Sequence, residues 1–262
     1  MIEIFKLHKP TGLLRIQTIK KLLSTMNTIH FIAGNRGNIG KSLFCSLVCH
    51  FYSSNGRPFT LFDTDPDKQD VSSLYGGIRD VTFDACNEIM VNHSTDAIKV
   101  DRIYEEALKQ DVIVNMPSNS HKELLFWLTQ NGLNQAEFLT AEKIQIYIWY
   151  LSNGDDTSLN LFKTLVDNYP AFKIALVQNK GIDHQWSQEL NADMKKAIET
   201  VQQLDLSTMP RSEREATFAS GKAYAKYISN TKSSKLSVNR LKTYLDNECA
   251  KFIKIFSLAN PA

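Results

Sequence analysis

An α/β domain built on a mainly parallel sheet, with helices on both faces, is the fold this sequence predicts. Three observations point to it. Short apolar runs alternate with longer segments of helical spacing from Asn27 onward. A glycine-rich turn, Gly34-Asn-Arg-Gly-Asn-Ile-Gly40, joins the first apolar run to the first helical segment. The 262 residues are 43% hydrophobic and 22% charged, with no internal repeat and no low-complexity linker, which suits one large core and a single domain spanning 26–262.

The first strand is read at Thr28 to Ala33 (TIHFIA) and the first helix at Lys41 to Ser53, closed by Asn55-Gly56. Further strands are expected at Pro58 to Phe62, Val112 to Val114, Ile144 to Trp149 and Lys173 to Val177. Helices are expected around Asp101 to Lys109, His121 to Thr129, Asp156 to Asn168 and Asp183 to Leu204. Apolar runs buried on both sides and separated by helices imply parallel strands.

Residues 1–25 stand apart as a basic extension. Lys6, Lys9, Arg15, Lys20 and Lys21 face a single Glu3, and Leu13, Leu14, Ile16, Ile19, Leu22 and Leu23 recur at helical spacing after Pro10-Thr-Gly12. Docking on the domain, contact with nucleic acid or a partner, and extra residues upstream of Met26 all remain open. At the other end, the basic helical part 216–262 carries Lys222, Lys226, Lys232, Lys235, Arg240, Lys242, Lys251 and Lys254, with Tyr224, Tyr227 and Tyr244 interleaved. A solvated helix face explains this pattern more readily than a salt-sensitive, non-specific DNA contact.

The net charge of +2 selects no partner class by itself. Cys45, Cys49, Cys86 and Cys249 form no CxxC pair, so reduced thiols are expected. No apolar run approaches the length of a membrane span, and the first residues do not read as a secretory signal. The expectation is a cytoplasmic protein with no membrane span.

The chemistry is concentrated in Phe31-Ile-Ala-Gly-Asn-Arg-Gly-Asn-Ile-Gly-Lys-Ser42. It ends as a phosphate-binding loop does, yet Asn35 stands where the pattern G-x-x-x-x-G-K-[ST] has its first glycine. Its setting between a strand and a helix gives the Gly-Lys-Ser meaning. Loop and helix-terminal N–H groups can cradle phosphate oxygens, Lys41 can neutralise β/γ oxygens, and the Ser42 hydroxyl can ligate Mg2+. Gly37, Asn38, Ile39, Gly40, Lys41, Ser42 and Leu43 are therefore the candidate phosphate-binding residues. Asp63 and Asp65, in Thr60-Leu-Phe-Asp-Thr-Asp-Pro66, end the second strand beside this loop.

Arg36-Gly-Asn-Ile-Gly-Lys-Ser42 resembles the deviant Walker A motif of the ParA/MinD ATPases, K-G-G-x-G-K-[ST]. That family does not require the first glycine. Arg36 stands at its signature lysine, which crosses a dimer interface to the partner's nucleotide, and Asn38 replaces its second glycine. The G-N-x-G-K form resembles the StbB branch and TIHFIAGNRG the TraL branch, ParA-like proteins encoded with plasmid stability and conjugative transfer genes. The resemblance spans about residues 27–215 and implies a P-loop NTPase fold with ATP and Mg2+ as cofactors. It implies a homodimer with ATP and a partner protein of a plasmid partition or transfer system. It further implies that Asp63 holds Mg2+ through water, that Asp65 orients and deprotonates the attacking water, and that Asn179 reads the adenine, with Pro210 of Met209-Pro-Arg211 nearby.

One departure cuts against turnover. Gln110-Asp-Val-Ile-Val-Asn-Met-Pro-Ser118 has the shape of a Walker B strand, but Asn115 stands where the family has Asp. An amide still accepts a bond from a metal-bound water, without the charge, so Mg2+ is held less firmly and hydrolysis is expected to be slow. Three functions follow: a dimeric, Mg2+-dependent ATPase switch; a hydrolysis-impaired nucleotide-binding adaptor; and a dethiobiotin-synthetase-like small-molecule ligase, for which no substrate-binding cluster is evident.

Overall fold

The computed structural model of the protein describes residues 26–83, 96–182, 190–230 and 233–259. The basic extension 1–25, Cys86, Lys232 and the start of the helix expected from Asp183 lie outside the described residues.

Six parallel strands form one sheet in the order β2-β3-β1-β4-β5-β6. They are β1 Asn27–Ala33, β2 Phe59–Asp63, β3 Asp111–Asn115, β4 Ile144–Ser152, β5 Lys173–Asn179 and β6 Gln202–Leu206. The helices are α1 Lys41–Ser54, α2 Asp70–Tyr75, α3 Asp96–Lys99, α4 Arg102–Ala107, α5 His121–Gln130, α6 Ala136–Ala141, α7 Asp156–Asn168, α8 Ala192–Glu199, α9 Arg211–Ser220, α10 Tyr224–Ile228 and α11 Lys235–Ala259. The α/β class with helices on both faces is thus observed.

Strand periodicity sorts the core into two layers. Ile29, Phe31, Val112, Val114, Ile146, Ile148 and Tyr150 face the layer of α4 to α8, with Trp127, Phe162 and Met194 among the helical residues packed there. Their neighbours Ile32, Ile113, Tyr147, Trp149, Leu151 and Val177 face α1, α10 and α11. Every strand but β6 reads as a nearly unbroken apolar run because both faces are covered.

β6 corrects the sequence reading, which placed Leu204 at the end of a helix begun at Asp183. The described helix there is only Ala192–Glu199, and Leu204 lies in a strand. The segment is an edge strand, where only Leu204 and Leu206 are buried beside Gln203 and Asp205 at the surface. Two apolar residues in five give little period to read.

The C-terminal part is a structural element of this core. Leu241, Tyr244, Leu245, Phe252, Ile255 and Phe256 of α11 are all buried, a gross contribution on the order of 10 kcal/mol before ordering costs. Tyr224 and Tyr227 are buried as well, so none of the three interleaved tyrosines is available to stack on a base. Arg240 pairs with the buried Glu213, and Lys251 with Glu248, the edge carbonyl of Asp205 and Ser207 Oγ. Cys45 and Cys49 are buried thiols on the inner face of α1, and Cys249 is half-buried.

Candidate functional site

The carboxyl ends of β1, β2, β3 and β5 bring the sequence-predicted residues to one rim of the sheet, where open parallel sheets bind ligands. The loop after β1 is held by its neighbours. A Cβ at Gly34 would meet Leu151 O of β4 at 2.8 Å, so this position must be glycine for the strand to turn. Gly40 takes a left-handed conformation, φ +97°, and a Cβ there would lie 2.7 Å from Asn179 Nδ2. Asn38 has φ +58°, a conformation asparagine tolerates better than most residues. Asn35, by contrast, is not among the residues with positive φ, and its carbonyl accepts the Asn119 N–H at 3.2 Å. No glycine is needed at that position.

Helix α1 opens at Lys41 without a side-chain cap, its first internal bond being Phe44 N–H to Gly40 O. The amides of Lys41, Ser42 and Leu43 thus carry the partial positive charge of the helix end with no protein acceptor supplied by a cap. Ile39 is buried in the core, and Leu43 lines the cleft beside this helix end.

Lys41 is nearly buried, and its Nζ donates to Arg36 O at 2.8 Å and to Ser118 Oγ at 3.0 Å. Burial lowers its pKa to about 8, against the opposing pull of Asp65. An anion in the loop would favour the ammonium form and reverse that shift.

Ser42, Asp63 and Asn115 meet below the loop. Asn115 Nδ2 donates to Asp63 Oδ1 at 2.8 Å and approaches Ser42 Oγ at 3.5 Å, while Ser72 N–H binds Asp63 Oδ2 at 2.8 Å. Asp63 is wholly buried, and desolvation raises its pKa despite the donors from Asn115 and Ser72. Asn115 Oδ1 is buried with no hydrogen-bond partner among the described residues. A hydroxyl, a carboxylate and an orphaned amide oxygen make an all-oxygen set, which fits a hard cation such as Mg2+ and its waters. Asp111, at the opposite end of β3, takes no part; it accepts Thr28 N–H and pairs with Arg57.

Asp65 sits above this group in a tight turn, its Oδ1 accepting Asp67 N–H at 3.0 Å and Lys68 N–H at 3.1 Å. It lines the same cleft as Lys41 and Ser42, a space of about 490 Å3. The far wall is Arg214, Glu215 and Phe218 of α9, with Lys68 and Asp70 at one side. Sequence reading missed these residues, and Ser118 with them. The one hint was Met209-Pro-Arg211, since Pro210 begins α9 and so sets this wall. Pro210 itself is half-buried.

Arg36 and Asn179 are each occupied within the chain. Arg36 Nε lies 3.2 Å from Oδ2 of Asp155, a buried carboxylate whose other oxygen caps α7 by accepting Ser158 N–H. The arginine itself remains 54% exposed, so the contact leaves much of the guanidinium in solvent. Asn179 Nδ2 donates to Ile39 O at 2.8 Å and its Oδ1 accepts Gly181 N–H at 2.9 Å. This buried amide braces the loop between β1 and α1 from β5, a role the sequence did not suggest.

No family model matches the sequence, and no curated protein matches it. Among solved structures, the chain is similar to the cell division ATPase MinD of Pyrococcus furiosus, with 16% identity over 87% of this chain and 100% of that one, at a TM-score of 0.40. It is similar to the septum site-determining protein MinD of Pyrococcus horikoshii OT3 complexed with Mg-ADP, with 12% identity, 87% and 98% coverage and a TM-score of 0.47. A nucleotide-binding protein from Archaeoglobus fulgidus in complex with ADP matches at 12% identity, with 79% and 92% coverage and a TM-score of 0.44.

Proposed function

We propose that the protein is a Mg2+-dependent, ATP-binding ATPase of the ParA/MinD kind, acting as a nucleotide-dependent dimeric switch in plasmid partition or conjugative transfer. The observation that carries this reading is the uncapped start of α1 behind a left-handed Gly40, with a nearly buried lysine turned back over the loop, Asp65 in the same cleft, and Asp63 at the end of β2 joined through Asn115 to Ser42. Uncapped amides and a desolvated ammonium are costly features that a bound polyphosphate satisfies together. The plasmid role rests on the resemblance of Thr28 to Ser42 alone.

In this mechanism the amides of residues 37–43 bind phosphate oxygens, and Lys41 moves from Arg36 O onto the β/γ oxygens. When bound at Ser42, Asp63 and Asn115, Mg2+ supplies charge neutralisation at the same oxygens. Asp65 holds the attacking water and takes its proton. Arg36 leaves Asp155 and reaches the partner subunit's nucleotide; its guanidinium is already half in solvent, and the move leaves the buried Asp155 carboxylate without its cation, a cost the nucleotide contact must offset.

A second reading, a binding protein with little turnover, is favoured by one feature. Asn115 donates its amide to Asp63 where the family has a second carboxylate, so the metal group carries one negative charge fewer. Phosphate release measured beside nucleotide affinity separates the two. Gel filtration with and without a non-hydrolysable ATP analogue tests the switch, and an unchanged monomer in both removes it.

A further inference from the structure

Ser118 belongs to no motif of the phosphate-binding loop, yet its hydroxyl accepts a hydrogen bond from the working end of Lys41. It follows β3 in the turn Asn115-Met-Pro-Ser-Asn119, and both flanks of that turn are fixed. Asn119, left-handed at φ +59°, donates its N–H to Asn35 O at 3.2 Å, and Ser120 Oγ donates to the carbonyl of the buried Pro117 at 3.0 Å. The turn is thereby stitched to the phosphate-binding loop. The Ser118 hydroxyl accepts from Lys41 Nζ at 3.0 Å and lines the cleft. Gly37, facing it, leaves the hydroxyl uncovered; even a Cβ there would come no closer than 3.6 Å.

A hydroxyl has one hydrogen to give and lone pairs to accept with. Lys41, an ammonium, can only donate, so Ser118 spends a lone pair on it and keeps its hydrogen. That hydrogen has no acceptor among the described residues. Accepting from a cation also makes the hydroxyl a stronger donor. In loops of this class the lysine reaches the β- and γ-phosphates, and a donor 3.0 Å from its nitrogen stands at that end of the ligand.

We propose that Ser118 is a specificity-determining residue, donating its hydroxyl hydrogen to a terminal phosphate oxygen and so distinguishing a nucleoside triphosphate from a diphosphate. This rests on the nucleotide-binding reading given above. The hydroxyl is held before the ligand arrives, so it adds affinity for the γ-phosphate with little ordering cost. Ser118 and Lys41 then act as a pair, the cation attracting charge and the hydroxyl testing for the third phosphate.

The test is calorimetric titration of the full chain with Mg2+ and either ADP or a non-hydrolysable ATP analogue, in wild type, S118A and S118T. S118A is expected to lose about tenfold or more in affinity for the triphosphate analogue, the effect of one hydrogen bond to a charged group, while its ADP affinity changes less than about threefold. S118T, which keeps the hydroxyl, regains the wild-type ratio. An S118A ratio of affinities equal to that of wild type, whether both fall together or neither does, overturns the proposal. Wild type that binds neither nucleotide overturns the underlying reading instead.

Discussion

Replacing Asn115 with Asp sets a second carboxylate against Asp63, and the cost before any metal arrives follows from the structure. Asn115 Nδ2 now donates to Asp63 Oδ1 at 2.8 Å inside the core. In Asn115→Asp two carboxylates would meet at that separation. Left ionised, they would repel by about 6 kcal/mol at an effective dielectric constant of 20. The pair has a cheaper escape: one carboxyl keeps its proton, and its O–H replaces the lost N–H donor. Holding a carboxyl of ordinary pKa protonated costs about 4 kcal/mol at pH 7 and about 1.5 kcal/mol at pH 5. The folded variant therefore binds a proton that the unfolded chain releases, and its stability falls as pH rises.

Urea denaturation at both pH values checks this. The variant should be about 4 kcal/mol less stable than wild type at pH 7 and about 1.5 kcal/mol less stable at pH 5. Mg2+ with nucleotide should narrow the gap at pH 7, because a dication held by these residues would offset the repulsion and favour loss of the proton. Phosphate release should rise with it if the missing charge limits turnover. A deficit that is absent at pH 7, or the same at both pH values, would refute the reasoning.

Two further changes probe the frame of the site. Gly40→Ala forces a Cβ to 2.7 Å from Asn179 Nδ2 at φ +97°, and should cost about 2–3 kcal/mol in chemical denaturation; adding Asn179→Ala should recover the steric part and leave the backbone part. His30 is buried between Tyr52 and Trp149, bonded to both, and burial lowers its pKa to about 3. Its contribution is present above pH 6.5 and lost as pH falls, so wild type should lose about 2 kcal/mol more than His30→Gln between pH 6.5 and 4.5. Equal losses in the two proteins would show that His30 takes up its proton in the folded state.

Much of the sheet was legible because its inner strands are buried on both faces and spell unbroken apolar runs. The site was legible where chemistry is local: Lys41 and Ser42 follow their glycine, and Asp63 and Asp65 close a strand. What sequence could not show were partners made by topology. Nothing near Ser118 announces that β3, next to β1, places it on Lys41, 77 residues away. Asp155 becomes the partner of Arg36 only because β4 flanks β1 on the other side. Asn179 stands in a polar turn that suits a base reader and a loop brace equally; its bond to Ile39 O, across 140 residues, is a fact of packing. The C-terminal tyrosines misled for a related reason. Alternation with lysines fits a solvated helix face, but Tyr224 and Tyr227 of α10 and Tyr244 of α11 all join the apolar layer on the α1 side of the sheet.

The central claim is that the loop between β1 and α1 binds the phosphates of a nucleotide. Calorimetric titration of wild type and Lys41→Ala with ADP or ATP in the presence of Mg2+ tests it most directly. Saturable one-site heat with wild type, weakened a hundredfold or more when the ammonium is removed, is the predicted result; no heat with either nucleotide, or an unchanged isotherm for Lys41→Ala, would contradict it.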